Sequence, residues 1–183
     1  MNNNVRFMTS AALMAALMCI LCPVSLPIGP VPVSLSLLVI NLAIMIIGAK
    51  GALASYIVYL LLGMAGLPVF SGFTGGVAKL AGPTGGYLVG FVFMIPIVGL
   101  IIDKVNDKVV TCALALAVGT AVAYVFGTVW FVIMMQTDIW YALTVCVFPF
   151  IPFDIAKIVI AVYLGKAVRG RLVKASLAPG MEK

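Results

Sequence analysis

The chain has 183 residues, of which 64% are hydrophobic and only 9% are charged, and its mean hydropathy is +1.28. A soluble domain carries roughly 25% charged residues, so this composition excludes a water-soluble fold and predicts an integral membrane protein. At ~17–25 residues per span plus loops, the length accommodates about six transmembrane helices. The net charge of +6 reflects membrane topology rather than nucleic-acid binding, since basic residues gather on one side of the predicted spans.

The first predicted span covers residues 7–22 and contains small residues in two registers. Ala12 and Ala16 form one small-xxx-small pair, and Ala11 and Ala15 form another. Such pairs let two helix backbones approach closely in lipid, either inside one bundle or between two subunits. The spacing leaves both interpretations open.

Two predicted loops are irregular. Residues 23–32 contain four prolines and one glycine, which exclude regular helix and suit either a lid over a pocket or a rigid connection. Residues 68–87 are dense in glycine, which permits positive φ angles and close approach of backbone N–H groups to a ligand. Lys79 does not belong to a Walker pattern, so we expect this loop to line a cavity rather than to bind phosphate.

Five further spans are predicted, and the last of them is interrupted by prolines. They are residues 34–48, 52–67, 87–102 and 109–135, then a span that begins near Tyr141, breaks at Pro149 and Pro152, and resumes over 153–168. We predict one domain over residues 1–175 and a disordered tail over 176–183. Apart from Lys157 within the last span, nine lysines and arginines lie on one side and only Lys79 on the other, so both termini are expected in the cytoplasm.

Four cysteines lie in apolar runs, and the sequence contains no histidine. Cys19 and Cys22 have the spacing of metal ligands, but no second pair exists to complete a site. The absence of histidine also removes the commonest general base. We therefore predict no metal site and no enzymatic activity.

The last span contains Asp154 and Lys157, which lie three residues apart and share a helix face. Ionisable residues inside a span are costly and by default mark a functional site. Lys157 precedes Lys166 by nine residues, or ~13 Å of helix, which places the pair in the outer half of the bilayer. A structural salt bridge, a proton relay through Asp154 and a ligand site all remain open. In a ligand site, the aspartate accepts N–H donors and the lysine attracts a carboxylate.

Several stretches together resemble one family. They are G-L-P-V-F (66–70), G-G (75–76), G-P-T-G-G-Y-L-V-G-F (82–91), Y-x-F-G-x-x-W (124–130) and P-F-I-x-x-D-x-x-K (149–157). This combination is similar to the BioY family, the biotin-specific substrate-binding (S) components of energy-coupling factor (ECF) transporters. The similarity extends over residues 6–174.

The resemblance implies an all-α bundle of six transmembrane helices in the cell membrane, whose extracytoplasmic loops cap a pocket that captures biotin. It implies three partner subunits, a transmembrane T component and two cytoplasmic ATPases. The chain carries no nucleotide-binding motif, so any ATP dependence must come from partners. It also implies no cofactor, with biotin as the transported ligand. In the family, a small-xxx-small motif in the first helix docks the T component. This motif maps onto Ala12 and Ala16 here.

The resemblance also supplies a ligand for the polar pair. Biotin has a ureido group with N–H donors and a valerate carboxylate, so we assign Asp154 to the ureido group and Lys157 to the carboxylate, with the exchanged roles as the alternative. Aromatic side chains from the matched stretches are candidates to pack against the ring and tail. The further predicted substrate-binding residues are Thr84, Gly86, Tyr87, Tyr124 and Trp130.

Two positions depart from the family pattern. The first outer loop usually reads V-P-x-T-x-Q, and here Ser36 replaces the glutamine. The residue before the aspartate is commonly glycine, and here it is Phe153, expected at the cavity edge. Two other functions remain as alternatives: a stand-alone ion-coupled carrier that uses Asp154 as a proton site, and an assembly protein whose ion pair is purely structural.

Overall fold

A computed structural model describes residues 3–27, 31–105 and 108–175. Within these residues the chain forms seven helices and one two-stranded ribbon. In chain order they are α1 (Asn3–Leu21), β1 (Ser25–Leu26), β2 (Val33–Ser34), α2 (Ser36–Met64), α3 (Val77–Leu80), α4 (Gly85–Lys104), α5 (Val109–Met135), α6 (Ile139–Cys146) and α7 (Ile151–Lys174).

Several of these helices are long and apolar enough to cross a membrane. Among the described residues, α1, α2, α4 and α5 each qualify alone. Helices α6 and α7 qualify together as a fifth span, bent by 47° at a short break. The chain is therefore a multi-pass, mostly helical membrane protein, as its composition predicts.

Helix α2 reverses direction at Gly48. This residue has φ 77° and ψ 168°, a backbone conformation that favours glycine. Ser36 at the start of α2 and Phe70 shortly after its end line the same cavity. A straight helix of 29 residues would separate its ends by ~43 Å, so the two arms must fold back on each other. The second and third predicted spans are these two arms.

The first arm of α2 is the centre of the bundle. Every residue from Val39 to Ile47 is buried, and nine successive residues cover all faces of a helix. A helix that is apolar all round is stable only when other helices surround it. Helices α1, α4 and α7 pack against α2, and α5 packs against α4, α6 and α7.

The irregular segments gather where α2 begins and ends. The β1–β2 ribbon pairs Ser25 with Ser34 and Leu26 with Val33. The Gly-rich segment contains the short helix α3, which the sequence does not predict. The Gly72 N–H donates to the Pro23 carbonyl at 2.9 Å and so connects the Gly-rich segment to the segment that follows α1.

The predicted interruption of the last span is confirmed. Helix α6 ends at Cys146 and α7 begins at Ile151, with Pro149 in the break. Pro152 lies in the first turn of α7, where a missing backbone N–H costs nothing. The tail predicted over 176–183 lies outside the described residues, as do residues 28–30 of the Pro-rich loop and residues 106–107.

Candidate functional site

A cavity opens at the loop end of the bundle. Its empty volume is about 680 Å³, including the part open to solvent. The lining residues come from the Pro-rich and Gly-rich segments and from α2, α4, α5 and the start of α7: Val31, Pro32, Ser34, Ser36, Leu37, Phe70, Ser71, Lys79, Thr84, Tyr87, Leu88, Phe91, Thr120, Ala123, Tyr124, Phe150, Asp154 and Lys157.

Asp154 and Lys157 form a buried ion pair on the cavity wall. The Lys157 Nζ donates to Asp154 Oδ1 at 2.8 Å, and the two residues are 8% and 5% exposed respectively. Tyr124 on α5 donates its hydroxyl to Asp154 Oδ2 at 2.6 Å. Both carboxylate oxygens therefore have partners, and α5 is connected to α7 through the aspartate.

The break before α7 explains how the pair reaches the cavity. Asp154 lies in the first turn of the helix, where the positive end of the helix dipole favours a carboxylate. Its own N–H donates to the Phe150 carbonyl at 2.8 Å, so this turn is regular. Lys157 follows on the same face, since residues three apart are neighbours on a helix surface. The pair is thus presented at the start of a helix rather than in the middle of one.

Two residues of the G-P-T-G-G-Y stretch line the cavity. Tyr87 donates its hydroxyl to the Cys146 carbonyl at 2.6 Å and joins α4 to the end of α6. Thr84 precedes the first residue of α4, and its side chain does not cap that helix. A hydroxyl and an aromatic ring are therefore offered to the cavity from the start of α4.

Gly86 and Trp130, two other predicted substrate-binding residues, do not line the cavity. A Cβ atom at Gly86 would overlap the Cβ of Trp130 and the Phe126 carbonyl. The Trp130 Nε1 donates to the Gly82 carbonyl at 3.0 Å. These residues allow α4 and α5 to pack closely and fix the Gly-rich loop above them.

Lys79 lines the cavity, although it is not among the substrate-binding residues predicted from the sequence. It belongs to α3 and lines the cavity together with Asp154 and Lys157. Burial lowers the pKa of the Lys79 ammonium from its ordinary value of 10.5. The sequence did contain a signal for this role, because Lys79 is the one basic residue in the loops predicted on the outer side.

The two small-residue pairs of α1 point in different directions. Ala15 is buried, and the Ala11 carbonyl accepts a hydrogen bond from Ser55 Oγ of α2 at 2.9 Å. Ala12 and Ala16 are exposed, and they lie about 100° round the helix from the first pair. The first pair packs inside the bundle, and the second leaves a shallow outer surface.

Comparison with known proteins places this architecture in a family. A family model described as "BioY family" matches residues 1–174. The chain belongs to the BioY family. The biotin transporter BioY2 of Lactococcus lactis subsp. cremoris is 34% identical over 167 residues, which cover 91% of this chain and 92% of that protein. The biotin transporter BioY of Thermotoga maritima is 36% identical over 158 residues, with 86% and 92% covered.

A solved structure has the same fold. The 2.1 Å crystal structure of the S-component for biotin from an ECF-type ABC transporter is 28% identical and superposes with a TM-score of 0.86. The match covers 93% of this chain and 95% of that one. The predicted membership of the BioY family is confirmed by sequence and by fold.

The two departures from the BioY pattern lie in different surroundings. Ser36 lines the cavity, and its Oγ accepts a hydrogen bond from Ser34 Oγ at 3.0 Å. Phe153 was expected at the cavity edge, but it is 45% exposed on the outside of α7, and Phe150 lines the cavity instead. Of the two, only the serine changes the chemistry of the cavity wall.

Proposed function

We propose that this chain is the biotin-binding S component of an ECF-type importer, and that it captures biotin in the cavity at its loop end. One observation carries the proposal: in a chain of the BioY family, the cavity contains a buried Asp154–Lys157 pair bonded to Tyr124. The named relatives are biotin transporters, and the solved structure is a biotin S component.

The ion-pair geometry supports a revised division of roles within the site. Lys157 and Asp154 are 2.8 Å apart, whereas a valerate chain separates the two ends of biotin. The pair therefore serves one end of the ligand. Asp154 accepts the ureido N–H groups, and Lys157 donates to the ureido carbonyl, since an ammonium has three donors.

Lys79 is the cation for the other end of biotin. It approaches the cavity from the outer segment, and Asp154 and Lys157 approach from α7. A partly buried ammonium gains a charge-assisted hydrogen bond when a carboxylate arrives. Between the two ends, Tyr87, Phe91 and Phe70 offer an aromatic wall to the bicyclic ring, and Thr84 offers a hydroxyl.

In the membrane, the chain crosses six times when the arms of α2 are counted separately and α6 with α7 is counted once. The Lys/Arg distribution supports a topology with both termini in the cytoplasm and the cavity at the outer surface. The linked outer segments then cap the ligand. Gly48, the reversal point in α2, lies on the cytoplasmic side in this topology.

The exposed face of α1 is the docking surface for the T component, which joins two cytoplasmic ATPases to the chain. Ala12 and Ala16 leave room for a second helix backbone to approach closely. Replacing Ala12 with Trp is expected to preserve biotin binding and to reduce partner-dependent uptake at least tenfold. The matched control is Val125→Trp on the exposed surface of α5, which is expected to leave uptake unchanged.

The decisive test is binding of labelled biotin to the purified chain, with dethiobiotin and unrelated vitamins as competitors. We expect saturable binding at one site that unrelated vitamins do not displace. Uptake assays with and without the T component and ATPases then separate the candidate functions. Uptake by the chain alone, abolished when the proton gradient collapses, identifies an ion-coupled carrier. Absence of any biotin binding identifies the ion pair as structural.

A further inference from the structure

A second groove, separate from the cavity, lies between α5 and α7. Its empty volume is about 830 Å³, including the part open to its surroundings. Its walls are apolar side chains of the two helices, together with Tyr163. Ile158 and Val162 are its buried residues, whereas Val110, Leu114 and Tyr163 are exposed. The groove is therefore open to the lipid that surrounds the bundle.

The groove extends from the start of α7 away from the cavity. Tyr124 of α5 bonds to Asp154 of α7 at the cavity, and Val109 and Tyr163 both line the groove. The two helices are therefore antiparallel, with the start of α5 beside the later turns of α7. From Ile155 to Tyr163 the groove follows eight residue steps, or ~12 Å of helix.

The helices that border the groove do not close on each other as their neighbours do. Helix α7 meets α2 closely where Gly165 contacts Met45, and α5 meets α4 closely where Gly119 contacts Val98. Close helix packing in lipid depends on such small residues. None of the described residues that line the groove is glycine. The space between α5 and α7 is therefore left for an apolar occupant.

Two basic residues continue the groove face of α7 beyond the groove itself. Lys166 follows Val162 by four residues and Tyr163 by three, and Arg169 follows Val162 by seven. Residues at these spacings share one helix face. Both basic side chains are partly buried. The apolar groove therefore ends in a phenol hydroxyl and two cations.

The charge at this end of the groove is positive overall. Helix α7 contains four basic residues after Lys157 and no acidic residue after Asp154. The neighbouring turn between α4 and α5, residues 103–108, contains two aspartates and two lysines, so it adds no net charge. An occupant with an apolar body and an anionic head is complementary to both parts of the site.

We propose that the α5–α7 groove binds an anionic phospholipid, with an acyl chain along the groove and the phosphate at Lys166 and Arg169. The arginine fork suits two phosphate oxygens, and the lysine adds a point charge. Tyr163 lies where tyrosines are common, at the level of the headgroups. In the topology proposed above this end is cytoplasmic, and basic pockets between helices on that side bind anionic headgroups. The site does not depend on the assignment of biotin to the cavity.

Lipid titration of the purified chain in detergent tests the headgroup contact. We expect phosphatidylglycerol to raise the melting temperature by several degrees, and to bind about tenfold more tightly than phosphatidylcholine with the same acyl chains. Lys166→Gln combined with Arg169→Gln should remove this preference. The matched control, Arg171→Gln combined with Lys174→Gln, removes the same charge from other faces of α7 and should retain it. Equal affinities for the two lipids in the unmodified chain, or equal losses in the two double variants, overturn the proposal.

Ala117→Trp tests the groove without changing its charge. Ala117 is an exposed small residue of the groove wall, so the indole fills the space of the acyl chain without entering the core. We expect the stabilisation by phosphatidylglycerol to disappear although both cations remain. The control is Val118→Trp, at an exposed position next along α5 that does not line the groove. Unchanged stabilisation in Ala117→Trp overturns the proposal, as does a lipid-independent dimer of the unmodified chain that Ala117→Trp dissociates.

Discussion

The two ends of the bundle are built from the same helices but differ in polarity and in packing. At the cavity end, α7 begins after a break and presents Asp154 and Lys157, which are buried only because each has a partner. At the other end, α2 and α7 meet through Met45 and Gly165, and α4 meets α5 through Val98 and Gly119. One end is polar and irregular, and the other is apolar and closely packed.

This difference indicates that residues at the cavity end determine ligand binding, whereas residues at the packed end determine stability. Helices in lipid associate through close van der Waals contact, for which small residues are needed. Charges at membrane depth are retained where they serve a site. Substitutions at the cavity end should therefore change ligand affinity most, and substitutions at the packed end should change stability alone.

The largest expected effect is that of Lys157→Ala. Removing the ammonium leaves the Asp154 carboxylate buried beside Tyr124 without a counter-charge, which costs about 3–5 kcal/mol in stability. We expect biotin binding to disappear and the melting temperature to fall. The combined variant Asp154→Asn with Lys157→Met should recover the melting temperature without recovering binding. Normal biotin affinity in Lys157→Ala would contradict the assigned site.

Gly165→Val, at the packed end, is expected to lower stability without changing affinity. The added side chain overlaps Met45, and overpacking of this kind costs about 1–3 kcal/mol. We expect a lower melting temperature and unchanged biotin affinity in the protein that remains folded. Gly170→Val on the same helix, where no atom lies close to the added Cβ, is the matched control. A loss of affinity in Gly165→Val would show that the two ends are not independent.

Lys79→Gln tests whether a second cation serves the cavity. Losing a charge-assisted hydrogen bond to the ligand carboxylate costs about 1.5–3 kcal/mol, so affinity should fall about tenfold or more. The lowered pKa also predicts the direction in which biotin affinity changes with pH. Burial lowers the pKa of Lys79, so the ammonium loses its proton at a lower pH than an ordinary lysine does. Affinity should decline as pH rises through that pKa, and Lys79→Gln should lack this decline.

The features that were predictable from sequence are those that contrast with an apolar background. Asp154 and Lys157 stand out as charges in a span, and Pro149 marks the break before them. Lys79 and α3 were missed because a Gly-rich segment has no periodicity from which to infer a helix or a facing side chain. Gly86 and Trp130 were matched by motif, and a motif does not distinguish a residue that lines a cavity from one that packs behind it.

Tyr124→Phe should produce the smallest of these effects, and it isolates the electrostatic part of the cavity wall. The variant keeps the ring but removes the 2.6 Å bond to Asp154 Oδ2, a charge-assisted bond and therefore stronger than a neutral one. Tyr87→Phe is the matched control, because its hydroxyl donates to the neutral Cys146 carbonyl. We expect Tyr124→Phe to weaken biotin binding several-fold and Tyr87→Phe to weaken it less. If the two losses are equal, the tyrosines act through their rings, and Asp154 is positioned by Lys157 alone.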